Sequence, residues 1–183
     1  FVHAAQQRGD LRRARHGREE ELDARERLQA LQRDAGGGAR TMRPRSVAVA
    51  TTDVAASGSG SDVTLSTSTG GVVASQVVGA DAVTITASEG DVELGTVRAD
   101  TGAVMVTANA GSIVHAVGGV IRVASASQVI TLSASGGVTA EVVADAVVDV
   151  SSTSSGNIVL TGLGALTLRD VDAADGSIRA DAA

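Results

Sequence analysis

The chain has 183 residues, a net charge of −6, no cysteine, and Phe1 as its only aromatic residue. This length allows one compact domain or a short run of repeats. The missing cysteines exclude disulfide staples and thiolate metal sites, and no apolar run approaches the roughly 20 residues of a membrane span. Without aromatic side chains, any core has to be narrow and built from Val, Ile, Leu and Ala.

The first quarter stands apart. Residues 1–45 hold 11 of the 15 arginines against 7 acids, and residues 46–183 hold 4 arginines against 14 acids. There is no lysine, so a basic nucleic-acid surface could come only from residues 1–45; the acidic remainder would repel phosphate, and no nucleic-acid partner is expected. From Asp10 to Asp34 the composition favours a helix, with Asp10 as a cap and Gly36-Gly37-Gly38 as a stop. Glu21 with Arg25 and Asp23 with Arg27 are favourable i,i+4 pairs. The apolar stripe of Ala24, Leu28, Leu31 and Ala35 is thin, which points to a solvated charged extension, helical or disordered, over 1–45. A partner-binding helix and an out-of-frame stretch are the other readings of this segment. Residues 46–60 read as a linker or an irregular first coil.

From residue 61 to 183 the chain repeats. A frame of Gly-x-Val/Ile-x-apolar occurs at Gly70, Gly90, Gly111, Gly136, Gly156 and Gly176, at intervals of 20, 21, 25, 20 and 20 residues. Such a period marks a solenoid. Before each glycine lies an alternating segment: Val63-Thr64-Leu65, Val83-Thr84-Ile85, Val104-Met105-Val106, Ile130-Thr131-Leu132, Val148-Asp149-Val150 and Leu166-Thr167-Leu168. After each frame comes a shorter apolar patch, at Val77-Val78, Val97, Val117, Val142-Val143 and Leu163. Three short strands and three turns in about 20 residues make one coil of a parallel β-helix, so an all-β β-solenoid of about six coils is expected. Period-2 alternation puts Val83, Ile85, Val92 and Leu94 inside, with Thr84, Asp91 and Glu93 in water.

One coil buries too few side chains to offset the entropy of ordering about 20 residues, so the pattern has to repeat. Six coils stacked at about 4.8 Å span roughly 29 Å. The frame glycine suits a positive-φ turn or a tight corner. The 25-residue coil is expected to bulge around Gly118-Gly119-Val120-Ile121-Arg122-Val123. The first and last coils present unpaired edges, so association or fraying is expected.

The run Ala108-Asn109-Ala110-Gly111-Ser112-Ile113-Val114, with Gly-Asp/Asn-Val/Ile-x-Leu and Val-Thr-Leu/Ile units every 20 residues, resembles the filamentous haemagglutinin-like and autotransporter-type large bacterial exoproteins. The resemblance covers residues 61–183 and not the arginine-rich start. It implies a right-handed β-helix, secreted or displayed at the Gram-negative cell surface and associated with the outer membrane, where stalks mediate adhesion or aggregation. The chain carries no secretion domain or translocator motif of that family. It is read as an internal piece, with the rest of the same polypeptide as its neighbour on both sides. The implied partner is a host or neighbouring-cell surface, glycan or protein, and the segment itself does not insert into a membrane.

Several motifs suggest chemistry. Arg8-Gly9-Asp10 matches a cell-attachment tripeptide, but chance alone accounts for it and Asp10 serves as a helix cap. Asp170-Val171-Asp172-Ala173-Ala174-Asp175-Gly176 with Asp181 approaches a calcium loop, yet its third Asp and its Gly each fall one place late, so a solvated acidic turn is favoured. Thr64, Thr84 and Thr86 suggest an ice-binding ladder that Met105 interrupts. His115 takes the fifth place of its frame and reads as buried or bulge-adjacent, with His3 and His16 far away in the other segment. Asp91 and Glu93 fall opposite Ser112 and Val114, so they form no carboxylate row. No catalytic, cofactor or metal residues are assigned. The expected function is a structural and adhesive stalk segment. A carbohydrate-active β-helix enzyme fragment and a calcium-stabilised surface-layer or repeat-in-toxin module are the alternatives.

Overall fold

In a computed structural model the described residues are 40–42, 49–51, 53–143 and 146–182. The expected helix at 10–34 and the Arg8-Gly9-Asp10 tripeptide lie outside them. The described residues contain strands and turns and no helix. The strands are β1 (Arg40–Met42), β2 (Val49–Thr51), β3 (Val54–Ala56), β4 (Val63–Thr67), β5 (Val72–Gly79), β6 (Val83–Ala87), β7 (Val92–Ala99) and β8 (Val104–Ala108). They continue as β9 (Ile113–Val123), β10 (Val129–Ala134), β11 (Val138–Val143), β12 (Val147–Ser152), β13 (Ile158–Leu163), β14 (Thr167–Ala173) and β15 (Ile178–Ala182).

Successive strands alternate between two parallel sheets. One runs β1-β4-β6-β8-β10-β12-β14 and the other β2-β5-β7-β9-β11-β13-β15, with β3 also on β5. The described residues therefore form a parallel β-solenoid of about six turns. Short strands of the 46–60 stretch already belong to it, since Val49 aligns with Val72 and Val54 with Val77.

The sequence suggests three strands per coil, and the third proves to be the far half of a longer second strand. In β5 the inward residues are Val72 and Ala74, then Val77 and Gly79, with Ser75 and Gln76 both turned outward between them. Two consecutive outward residues reset the alternation, so the strand turns a corner without leaving its ladder. β7 repeats this at Gly95 and Thr96, whereas β11 and β13 keep strict alternation from start to end.

Residues stack in register from coil to coil. Val63, Val83, Val104, Ile130 and Val148 form one fully buried column, and Val72, Val92, Ile113, Val138 and Ile158 another. β-Branched side chains suit this arrangement because their stiff rotamers stack on copies of themselves every 4.8 Å or so. At the corner after the first sheet the column narrows to Thr67, Ala87, Ala108, Ala134 and Ser152, all buried. The two hydroxyls at its ends donate to the carbonyls of Gly70 and Gly136, at 3.0 and 2.7 Å, so neither is buried unsatisfied.

The frame glycines form their own column, in which Gly70, Gly90 and Gly156 take positive φ while Gly111, Gly136 and Gly176 do not and are required by close approach instead. Gly90 has φ near 99°, but Gly111 lies outside the left-handed region. A Cβ on Gly111 would sit 2.2 Å from the Gly90 carbonyl oxygen. The next residue ties the coils together. Asp91 Oδ1 accepts the Ser112 N–H at 2.7 Å, Ser112 Oγ accepts the Gly137 N–H at 3.2 Å, and Asn157 Oδ1 accepts the Ser177 N–H at 3.0 Å. The variable second place of the frame is thus a side-chain-to-backbone ladder.

Candidate functional site

The departure from regularity that opens the surface is in β9. Leu94 aligns with His115 and Thr96 with Val120, so β9 carries three more residues than β7 across the same corner. Ala116–Gly119 loops out there. This corrects the expected bulge at Gly118–Val123: Ile121 and Val123 are buried core residues aligned with Val97 and Ala99. It also corrects the third apolar patch at two places. Val117 stands fully exposed at the loop tip, and Ile121 takes the core place expected of it. Leu163 is likewise exposed. The remaining extra length of this coil lies in the turn around Ser125–Gln128, where Gln128 Oε1 accepts the Ser125 N–H at 2.7 Å.

The loop roofs a shallow groove of about 220 Å³ lined by Val73, Ser75, Glu93, Gly95, Thr96 and the loop itself. Two glycines make it possible. A Cβ on Gly95 would sit 2.1 Å from the Ser75 carbonyl oxygen, and one on Gly119 would sit 2.4 Å from that of Leu94. The loop therefore folds back tightly on β7. Glu93 is exposed on the outer face, in register with Val73 and Val114, and is the ionisable group of the lining. With Ser75 and Thr96 it offers acceptors and hydroxyls to a polar ligand, while Val73 and Val117 offer apolar contact.

His115 immediately precedes the loop and is half-buried; its Nδ1 is enclosed with no hydrogen-bond partner. This agrees with the bulge-adjacent reading. Asp91 and Glu93 take the places expected, with Glu93 facing Val114 and Asp91 bonding Ser112.

The other singled-out residues are dispersed over the ladder. Thr64, Thr84, Met105 and Thr131 form one outer column of the first sheet, and Ser66, Thr86, Thr107, Ser133 and Ser151 the next. Ser151 donates to Ser133 at 3.0 Å. Asp170 and Asp172 are strand residues of β14 rather than part of a turn, aligned with Asp149 and Ser151. Asp181 lies on β15 in the other sheet. Among the described residues no group of three or more His, Asp or Glu is placed to hold a metal ion.

Outward charges pair locally. Arg98 Nε lies 2.6 Å from Asp100 and Arg179 Nε 2.7 Å from Asp181. Arg169, the extra residue of a β-bulge opposite Val148 and Asp149, forms a two-pronged contact with the Asp149 carboxylate. That carboxylate's hydrogen bond and charge hold the Arg169 pKa above its ordinary value.

Comparison with known protein families, curated proteins and solved structures finds no match for this chain.

The groove residues Gly95 and Ala116 carried no sequence signal of their own. The 25-residue interval located their coil, but only the register divides its extra length between a loop and a turn.

Proposed function

We propose that the solenoid is a structural and adhesive spacer, a segment of a large secreted or surface-displayed bacterial protein whose inserted loop supplies contact surface. The observation that supports this most is the use of the outward polar groups. Asp91, Ser112, Asn157, Ser133, Ser151, Asp149 and Arg169 all bond to a neighbouring coil, so these outward groups help to hold the stack rigid. The Ala116–Gly119 loop departs from that pattern and projects an apolar side chain into water. Exposed apolar tips on rigid scaffolds are common contact points.

The test is adhesion. Microspheres coated with the 183-residue chain should bind epithelial cells or immobilised glycans saturably. Deletion of Ala116, Val117 and Gly118, which restores the β7-type corner, should remove most of that binding and leave the far-UV circular dichroism unchanged. Equal binding by the deletion variant would refute the role of the loop. No binding to any surface, together with turnover of a polysaccharide panel, would favour the enzyme reading.

A further inference from the structure

Beneath the Ala116–Gly119 loop the acidic surface of the solenoid becomes concave. The groove joins three successive coils, with Val73 and Ser75 from β5, Glu93, Gly95 and Thr96 from β7, and the loop from β9. Leu94 and Thr96 align with His115 and Val120, so Gly95 has no counterpart in β9 and the floor opens there. At about 220 Å³ the groove is smaller than the roughly 300–1,000 Å³ of pockets that enclose a drug-sized ligand. It fits one side chain rather than a cofactor or an oligosaccharide.

The lining carries two chemistries. Val73, Ala116 and Val117 are apolar, whereas Ser75, Glu93 and Thr96 present oxygen. Glu93 is exposed, no cationic residue shares the lining, and among the described residues no ion pair holds its carboxylate. Residues 46–183 hold 14 acids against 4 arginines, and three of those arginines are already engaged by Asp100, Asp149 and Asp181. The field over the groove is therefore negative, and its complement is a cation.

The shape of the lining selects among cations. A lysine ammonium is compact, with three donors on one nitrogen, and its alkyl stem covers apolar surface while the head stays polar. Those donors match the carboxylate and the two hydroxyls. A guanidinium instead prefers a flat two-pronged contact with one carboxylate, as Arg169 makes with Asp149, and leaves the hydroxyls unused.

We propose that this groove binds an exposed lysine side chain of a protein partner, with the ammonium on Glu93, Ser75 and Thr96 and the stem along Val73 and Val117. This rests on the contact role proposed for the loop and names the chemistry it recognises.

The test is an NMR titration of the isotopically labelled 183-residue chain with N-acetyl-lysine methylamide to about 50 mM, for an expected dissociation constant of about 1–10 mM. The amides of Gly95, Thr96 and Gly119 and the methyls of Val73 and Val117 should shift together and saturate. Glu93→Gln should weaken binding about tenfold, because it removes the charged acceptor. Glu89→Gln removes the same charge from an exposed turn of the same coil, outside the groove, and should leave binding unchanged. Equal weakening by the two variants would mean diffuse surface attraction and overturn the proposal. So would equal shifts with the norleucine analogue, which lacks the ammonium, or no groove shifts at all. Groove shifts with maltotriose and none with the lysine amide would assign the site to a glycan and overturn it as well. Adhesion of coated microspheres without lysine binding overturns this inference and leaves the contact role standing. Lysine binding without adhesion supports the site and removes the adhesive role alone.

Discussion

Gly111→Ala separates two explanations for the glycine repeat. If glycine were needed only for its φ, this position would tolerate alanine, because Gly111 is not left-handed. The stack forbids it instead. The new Cβ would lie 2.2 Å from Gly90 O, 2.4 Å from Gly90 C and 2.7 Å from Asp91 Oδ1. Two of those atoms are backbone of the preceding coil, so the coils must part by about 1 Å at that corner to reach ordinary contact. The separation also strains the Ser112 N–H to Asp91 bond at 2.7 Å and the Gly136 N–H to Gly111 bond at 2.8 Å.

Overpacking of this kind costs about 1–3 kcal/mol, and each weakened hydrogen bond costs about 1 kcal/mol. The reduced entropy of the unfolded chain returns about 0.4–1 kcal/mol. The expected net loss is about 2–4 kcal/mol, which moves the urea midpoint down by roughly 1–2 M for an m-value near 2 kcal/mol/M. Urea titration followed by far-UV circular dichroism measures it. Gly118→Ala is the control: its φ is +75° but nothing lies within 4 Å, so only backbone strain of about 1–2 kcal/mol applies. A loss below about 1 kcal/mol for Gly111→Ala, or one smaller than that of Gly118→Ala, would refute the close-approach argument.

The core and the ladder give further expectations. Ile85→Ala, in the middle of a fully buried column, should cost about 2–5 kcal/mol in the same titration. Thr84→Ala, its outward neighbour, should stay within about 0.5 kcal/mol. Asp91→Ala should cost about 0.5–1.5 kcal/mol through loss of the Ser112 bond, whereas Asp91→Asn should be nearly neutral, because Asn157 already performs the same task with an amide oxygen. Hydrogen exchange should show amides of β8 and β10 protected close to the global limit and those of β15 exchanging through local fraying, since β15 is exposed along its whole length.

What a single coil must contain was legible in the sequence. The alternation Val83-Thr84-Ile85 and Val92-Glu93-Leu94 names the buried residues, because side chains in a strand have a period of two and water selects the polar half. The glycine interval names the repeat, because backbone of adjacent coils meets at one corner with no room for a Cβ. The bend inside β5 and β7 was not legible, since Ser75-Gln76 and Gly95-Thr96 read equally well as the start of a separate strand.

The same limit explains the loop. Val117 and Ile121 are both aliphatic in an apolar stretch, and composition cannot say which one fills the column shared by Val97 and Val142. Only stacking decides, because a residue's depth in a solenoid is set by the coils above and below it. Ile158 and Ile178 occupy the same place in the same frame, yet one is sealed and the other open to water. Sequence periodicity therefore determined the kind of coil and its inward face. The neighbouring coils, through register and close approach, decided where the ladder turns, where it bulges and which apolar side chains remain exposed.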